Sequence, residues 1–160
     1  MQIFTVSLFG HRRVHDYAEI EQQLHFLVYD LISNHEFVEF LVGRDGEFDQ
    51  LAASTIRRVK RDVFDANSSL VWMQAYPRSE YMRDPKAYDD YYDIVELCDA
   101  SAKAHPKAAI QLRNRSMVDR SDLCIFYVER RYGGAWETLK YAQKKNKRIT
   151  LLNTEDASFD

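Results

Sequence analysis

The sequence predicts an α/β fold in which helices cover both faces of a parallel β-sheet. Three observations lead to this prediction. Five short apolar runs have the length and composition of buried strands. They alternate with segments in which apolar residues recur at helical spacing, an alternation typical of parallel sheets. The five glycines of the chain fall near the ends of predicted strands or in the turns that follow them.

The five predicted strands are apolar runs bounded by polar or glycine-containing turns. In chain order they are QIFTVSL, FVEFLV, SLVWMQA, DLCIFYV and KRITLLN. Right-handed crossovers leave few ways to connect such strands. They favour a Rossmann-like three-layer sandwich with a five-stranded parallel sheet of order 3-2-1-4-5. Ligands bind such sheets outside the carboxyl ends of the strands, where the strand order reverses.

Four long helices are predicted from periodicity and from their ends. The first, DYAEIEQQLHFLVYDLI, places one apolar face on Ile20, Leu24, Leu27, Val28 and Leu31. The second helix, FDQLAASTIRRVKRDV, has one side formed by Phe48, Leu51, Ala52, Thr55 and Val59. Pro106 suits the first turn of the third helix. Lysines at the end of the fourth, AWETLKYAQKK, suit its C-terminal dipole. Between the third strand and third helix, the polar segment from Tyr76 to His105 contains a short helix near YYDIVELC.

The bulk composition is that of a globular protein. A chain of 160 residues with 46% hydrophobic content fits one domain over residues 1–160. Cys98 and Cys124 lack metal-ligand spacing, which favours reduced thiols in a cytoplasmic protein. No apolar stretch approaches the ~20 residues of a membrane span. The net charge of −3 disfavours nucleic acid as a partner. We expect no metal and no cofactor, and a homo-oligomer is left open.

Glycine-containing turns indicate where a ligand binds. The turns after the first, second and fourth predicted strands converge on one edge of the sheet and contain Gly10, Gly43, Gly46, Gly133 and Gly134. Glycine allows close backbone approach, and helix N–H groups there can receive an anion. Parallel-sheet proteins also need glycine in these turns for the backbone alone, so the structural alternative stays open.

Charged side chains beside these turns favour a phosphate group as ligand. His11 and Arg12 follow the first strand, and Arg113 and Asn114 precede the fourth. Arginine forks match phosphate oxygens, although solvated surface arginines are the alternative. His11 is a candidate acid or base, or else a turn residue with a local hydrogen bond. The residues assigned to ligand binding are Gly10, His11, Arg12, Gly43, Asp49, Tyr76, Asn114, Gly133 and Gly134.

Aromatic residues are concentrated in the polar segment. Its five tyrosines are Tyr76, Tyr81, Tyr88, Tyr91 and Tyr92. Beside a phosphate site, such rings could stack on a base. They could equally pack the segment onto the body of the protein.

The ordered set of motifs resembles a known superfamily. The motifs are SLFGHRRV, LVGRDGEFDQLAA, AYP, RNRSMVDRSDLCIFYV and YGGAWETLKYAQKKNKRI. They resemble the SLOG superfamily, and most closely its YpsA-like branch. Relatives include the LOG-type phosphoribohydrolases and the DNA-processing protein DprA. The resemblance implies a Rossmann-like sheet and a pocket for a nucleotide or nucleotide-derived ligand.

The resemblance also implies roles for two residues. Arg113 in RNRSM takes the place of an active-site arginine in the LOG motif RKxxM. Glu137 in GGAWE has the spacing of the nucleophilic glutamate of deoxyribosyltransferases. Arg113 and Glu137 are therefore the catalytic candidates, and Glu137 is expected to border the pocket beside Arg113 and His11. The alternative for Glu137 is a carboxylate that suits the first turns of a helix.

The predicted function is binding of a nucleotide or nucleotide-derived ligand at the C-terminal edge of the sheet, in a sensor or regulator. One alternative is an N-glycosidic hydrolase or transferase acting on a nucleoside or nucleoside monophosphate. A third is DprA-like binding of single-stranded DNA, which the acidic charge balance disfavours. The identity of the ligand and the presence of catalysis are left open.

Overall fold

The computed structural model describes residues 1–63 and 67–152, and within these ranges the chain forms a six-stranded parallel sheet. Asn153, at the end of the last predicted strand, lies outside the described residues. The strands are β1 (Ile3–Gly10), β2 (Phe37–Val42), β3 (Ser68–Gln74), β4 (Ile94–Leu97), β5 (Leu123–Tyr127) and β6 (Arg148–Leu151). Their order across the sheet is β4-β3-β2-β1-β5-β6, and every neighbouring pair is parallel.

Six helices connect the strands in the described part of the chain. They are α1 (Tyr17–Asn34), α2 (Glu47–Asp62), α3 (Ser79–Arg83), α4 (Pro85–Tyr91), α5 (Pro106–Arg120) and α6 (Gly134–Lys144). No helix in residues 1–63 and 67–152 combines the length and apolarity that crossing a bilayer requires.

The sheet differs from the predicted five strands in the order 3-2-1-4-5, because YYDIVELC supplies a strand where a helix was expected. Ile94–Leu97 is β4, which pairs with β3 at one edge of the sheet. Two hydrogen bonds hold its start in place: the Leu70 N–H donates to Asp93 Oδ2 over 2.7 Å, and the Asp93 N–H donates to the Leu70 carbonyl over 3.0 Å. The β-branched residues Ile94 and Val95 also favour an extended backbone.

Strand side chains alternate between two cores, which gives the sheet a helical layer on each face. In β2, Phe40 and Val42 belong to the core beneath α1 and α2, whereas Leu41 belongs to the core beneath α5 and α6. In β5, Ile125 and Phe126 divide in the same way. This alternation follows from the two-residue period of a strand and accounts for strands that are apolar throughout.

The strand order reverses beside β1, and this reversal positions the site. β1 is hydrogen-bonded to β2 on one side and to β5 on the other. The connection after β1 leads to α1 on one face, while α6 follows β5 on the other. The turns after these two strands therefore diverge, and they leave a crevice at the carboxyl ends of the strands.

The end of β1 is closely packed, so Gly10→Ala should destabilise the fold. A Cβ built on Gly10 would lie 2.2 Å from Phe48 Cγ, and Phe48 is fully buried. We expect the free energy of unfolding to fall by roughly 1–3 kcal/mol, the range for overpacking a core. Urea unfolding measures it. Gly134→Ala is the control, because the nearest atom there is the side-chain amide of Gln111 at 3.1 Å. Equal effects of the two substitutions would contradict the packing argument.

Candidate functional site

A cavity of about 270 Å³ opens at the C-terminal edge of the sheet. Its walls come from the turns after β1, β2 and β5 and from the middle of α5. The three glycine-containing turns thus meet at one edge of the sheet, as the sequence predicted. The sequence-predicted residues that line the cavity are Gly10, His11, Arg12, Gly43, Asp49, Arg113, Asn114, Gly133 and Gly134. Gly46, from the predicted glycine turns, also lines it, together with Asp45, Ile110 and Arg130, which the sequence did not single out for binding.

Glu137 lies outside this lining, so the expectation that it borders the pocket is wrong. Its side chain is 55% exposed, and Oε1 lies 3.1 Å from Lys140 Nζ. The buried face of α6 is formed instead by Ala135, Thr138, Leu139 and Ala142. Only one side of α6 faces the protein interior, and Glu137 lies on the opposite, solvent-exposed side. Its position therefore supports the first-turn alternative and gives no support to a nucleophile.

The tyrosines of the polar segment pack against the body of the protein. The rings of Tyr81, Tyr88 and Tyr92 lie 5.4–5.9 Å from the ring of the fully buried Trp72. Tyr76 is outside the pocket lining, and its ring lies 5.8 Å from the Arg78 guanidinium. Tyr81, Tyr88 and Tyr92 therefore have the second role considered from the sequence: their rings pack the segment onto the body of the protein at Trp72.

Arg113 is the most constrained charged group of the pocket. It is 4% exposed, yet three of its nitrogens donate hydrogen bonds. Nη2 donates to Asp45 Oδ2 over 2.8 Å, and Nη1 donates to the Met73 carbonyl over 3.3 Å. Nε and Nη2 both donate to Asn114 Oδ1, and Asn114 in turn donates to Thr138 Oγ1. A buried guanidinium is stable only with such partners. Arg113 therefore joins α5 to the ends of β2 and β3.

Asp45 is the residue that sequence reasoning missed. Its Oδ2 accepts from Arg113, and its Oδ1 lies 3.2 Å from Arg78 Nη1. Arg78 is itself paired with Glu80 at 2.6 Å. A carboxylate between Gly43 and Gly46, in a turn expected to face arginines, is the signal that could have identified it. Asp45 pairs with both arginines and Glu80 pairs with Arg78, so two carboxylates balance the two arginines and the interior of the pocket carries little excess positive charge.

Asp49 is held under the same turn. Its Oδ2 accepts a hydrogen bond from the Asp45 N–H over 2.9 Å. Burial raises the pKa of the Asp49 carboxyl to about 6, although the Asp45 N–H and the Arg113 charge both act to lower this pKa. Removal from water thus outweighs the favourable partners.

His11 forms a long-range hydrogen bond to the turn after β5, whereas the sequence suggested an acid or base or a local hydrogen bond within its own turn. It is buried, and its Nε2 accepts from the Glu129 N–H over 2.9 Å. Burial, and secondarily the charge of Arg130, lower the pKa of His11 to about 4. The ring is therefore neutral near pH 7, with its proton on Nδ1. An imidazole in this state is poorly suited to act as an acid.

The turns after β1 and β5 are tied together by further contacts. Glu129 Oε2 lies 3.0 Å from His15 Nδ1, and the His15 N–H donates to the Tyr127 hydroxyl over 2.8 Å. With the bond to His11, these contacts fix the two turns relative to each other. Arg12 from one turn and Arg130 from the other both line the cavity, and each has a second arginine, Arg13 or Arg131, next to it in the chain.

These arginines form an exposed rim. Arg12 and Arg13 lie after β1, and Arg130 and Arg131 lie after β5; all four are exposed. Within residues 1–63 and 67–152, none of them has a carboxylate within 4.0 Å. The rim is thus positive, whereas the interior pairs Arg113 with Asp45. Groups of three or more metal-ligating side chains do not occur in these two ranges.

Comparison with known proteins identifies relatives by fold. No family model and no curated protein matches the chain. Among solved structures, DNA processing protein A from Helicobacter pylori, described by its single-stranded DNA binding mode, is similar with a TM-score of 0.65 and 17% identity. DNA processing protein A (DprA) from Streptococcus pneumoniae is similar with a TM-score of 0.67 and 13% identity. At identities this low, the structural match shows a shared fold and nothing more.

The two relatives are longer than this chain. The match covers 97% of this chain and 68% of the Helicobacter protein, and 96% of this chain and 52% of the Streptococcus protein. The chain thus has an α/β fold of the kind found in these two DNA processing proteins.

These matches correct two expectations. The leading prediction was a small nucleotide ligand, and nucleic acid was disfavoured as a partner. The structures that match are instead DNA processing proteins, one of them described by its binding of single-stranded DNA. That is the third function considered from the sequence. The net charge averages the whole surface, while the pocket rim is locally positive.

The buried pairing of Arg113 predicts a large stability effect. Arg113→Ala would leave the Asp45 carboxylate without this partner, so we expect the free energy of unfolding to fall by about 3 kcal/mol. Arg13→Ala removes an exposed arginine and should change it by less than ~0.5 kcal/mol. Urea unfolding of both variants measures the difference. A small effect at Arg113 would mean that its ion pair contributes little to the fold.

The raised pKa of Asp49 predicts a pH dependence of stability. Below about pH 6 the folded protein holds a proton on Asp49, which the unfolded chain releases at its ordinary pKa near 3.8. This proton stabilises the fold below pH 3.8, and the stabilisation is lost as pH rises through about 6. Relative to Asp49→Asn, wild type should lose on the order of 2 kcal/mol between about pH 4 and pH 7.

Unfolding in urea across this pH range, with both proteins in the same buffers, tests the linkage. Titration elsewhere affects wild type and Asp49→Asn alike, so the difference between them isolates Asp49. A difference that is constant with pH would show that this carboxyl is ionised throughout.

Proposed function

We propose that this protein binds single-stranded DNA at the C-terminal edge of its sheet, with the phosphate backbone of the strand crossing the mouth of the pocket. The observation that carries the proposal is a rim of exposed arginines that find no carboxylate partner among the described residues: Arg12, Arg13, Arg130 and Arg131. Guanidinium groups are suited to phosphate oxygens, and several in a row suit a polyanion.

The distribution of the acidic residues is compatible with a polyanionic partner. Part of the negative charge near the pocket is already paired, as in Asp45 with Arg113. Binding depends on the local potential at the contact surface more than on the net charge of −3. The rim can therefore attract phosphates although the chain as a whole is acidic.

The pocket also offers backbone groups to a phosphate. α6 begins after Gly133 and α2 begins after Gly46, and neither helix has a side-chain cap, although the first N–H of α2, that of Glu47, already donates to the Arg12 carbonyl over 2.9 Å. The first N–H groups of a helix lack partners within the helix, and they are a common site for phosphate oxygens. In this proposal Gly10, Gly43, Gly133 and Gly134 form walls that let the strand approach, and Arg12 contacts it directly.

Arg113 has a different role in this proposal from the one first expected. Because its guanidinium is buried and bonded to Asp45, it shapes the turn that faces the strand. Asn114 and Asp49 support the same turn. The likeness in fold to a protein described by its single-stranded DNA binding mode supports this proposal. Membership of the YpsA-like branch, a single domain over residues 1–160 and a cytoplasmic location stay predictions.

Binding of labelled oligodeoxythymidylate, measured by fluorescence anisotropy over a series of salt concentrations, tests the function. Wild type should bind with an affinity that falls steeply with salt. Arg12→Ala and Arg130→Ala should each weaken binding and reduce the slope of log K against log salt by about 0.7, because each removes one phosphate contact.

Arg61→Ala is the matched control. Arg61 is an exposed arginine in the last turn of α2, at the opposite end of that helix from the pocket. Its loss should leave the salt slope unchanged. Absence of salt-dependent binding by wild type, or equal loss with all three variants, would refute the proposed interface.

A further inference from the structure

The turn between β5 and α6 carries an aromatic residue that phosphate binding does not explain. Tyr132 is 67% exposed, in contrast to the tyrosines packed around Trp72. In the described part of the chain, no other aromatic ring stacks against it. Its contact is with Arg130, whose guanidinium carbon lies 4.7 Å from the centre of the ring.

Arg130 connects this ring to the pocket. Arg130 lines the cavity, and its Nη2 lies 3.9 Å from the position that a Cβ on Gly133 would occupy. The guanidinium therefore lies between the Tyr132 ring and the glycine turn. Gly133 has a φ of 94°, in the region that other residues rarely adopt. This turn directs Tyr132 outward while Gly133 and Gly134 face the cavity.

The arrangement leaves one face of the Tyr132 ring open. A guanidinium over one face is a favourable cation–π contact and holds the ring in place. The second face is exposed at the edge of the arginine rim. A flat aromatic surface beside cationic groups is the combination with which proteins bind unpaired bases, because every base offers a π-face for stacking.

We propose that Tyr132 is a base-stacking residue, which receives one unpaired base of a bound strand on its open face while Arg130 supports the other face and contacts the adjoining phosphate. This inference rests on the proposed function and adds the contact that selects single strands. In a duplex the base faces are already stacked on their neighbours, so none is free to cover Tyr132. The rim arginines alone would bind the phosphates of either form.

The experiment compares two strands of equal length, oligodeoxythymidylate and a strand of abasic sites that has the same phosphates but no bases. Tyr132→Ala should weaken binding of oligodeoxythymidylate by about tenfold and leave binding of the abasic strand unchanged. Tyr132→Phe should retain wild-type affinity for both, because stacking needs the ring and not the hydroxyl. Tyr29→Ala is the control, since Tyr29 is an exposed tyrosine in the second half of α1.

Each other result overturns the inference in a different way. An equal loss with both strands would mean that Tyr132 acts only by holding Arg130. Wild-type binding that is equally strong to both strands would exclude stacking while leaving phosphate binding intact. Failure of wild type to bind either strand would refute the proposed function together with the stacking. Circular dichroism of each variant checks that the fold is retained.

Discussion

The buried ion pair between Arg113 and Asp45 is the interaction on which the architecture of the pocket depends. It links the middle of α5 to the turn between β2 and α2, two segments 68 residues apart in the chain. Gly43 is part of the same constraint, because a Cβ there would lie 3.0 Å from the guanidinium nitrogens of Arg113 and from Asp49 Oδ2. The turn can therefore lie close against the arginine only with glycine at this position. A change in any of these groups would alter the wall that the others form.

The same pair explains how a site for an anion can lie in an acidic protein. The Arg113 charge inside the pocket is balanced by Asp45, and Asn114 accepts two of its hydrogen bonds, so Arg113 adds to rigidity and little to the field outside. The exposed arginines after β1 and β5 have no carboxylate partner among the described residues, and they make the local potential at the mouth of the pocket positive. The arginine that supports the fold, Arg113, is thus buried, whereas the arginines of the rim are exposed to solvent. Burial and pairing, which a net charge does not record, distinguish the two groups.

Much of the fold could be predicted from the sequence, because strand and helix periods alternate clearly and the glycine turns follow the strands. Most of the residues assigned to the site do line one cavity for the same reason. The edge strand at Ile94 was missed because its conformation depends on pairing with β3 and on the Asp93 contacts, which are not local. Glu137 was misplaced because helical phase allowed either face of α6. Asp45 was missed because its importance lies in contacts with Arg113 and Arg78, both distant in the chain.

The position of β1 in the middle of the sheet has a consequence for biosynthesis. β1 is made first, and its register with β2 joins Ile3 to Phe37, so that edge can close early. Its other edge pairs Val6 with Leu123, which is made 117 residues later. Until then the central strand presents open backbone groups to any competing strand, a hazard for aggregation. On a ribosome that adds residues in sequence, the nascent chain must keep this edge unpaired or covered for most of its synthesis.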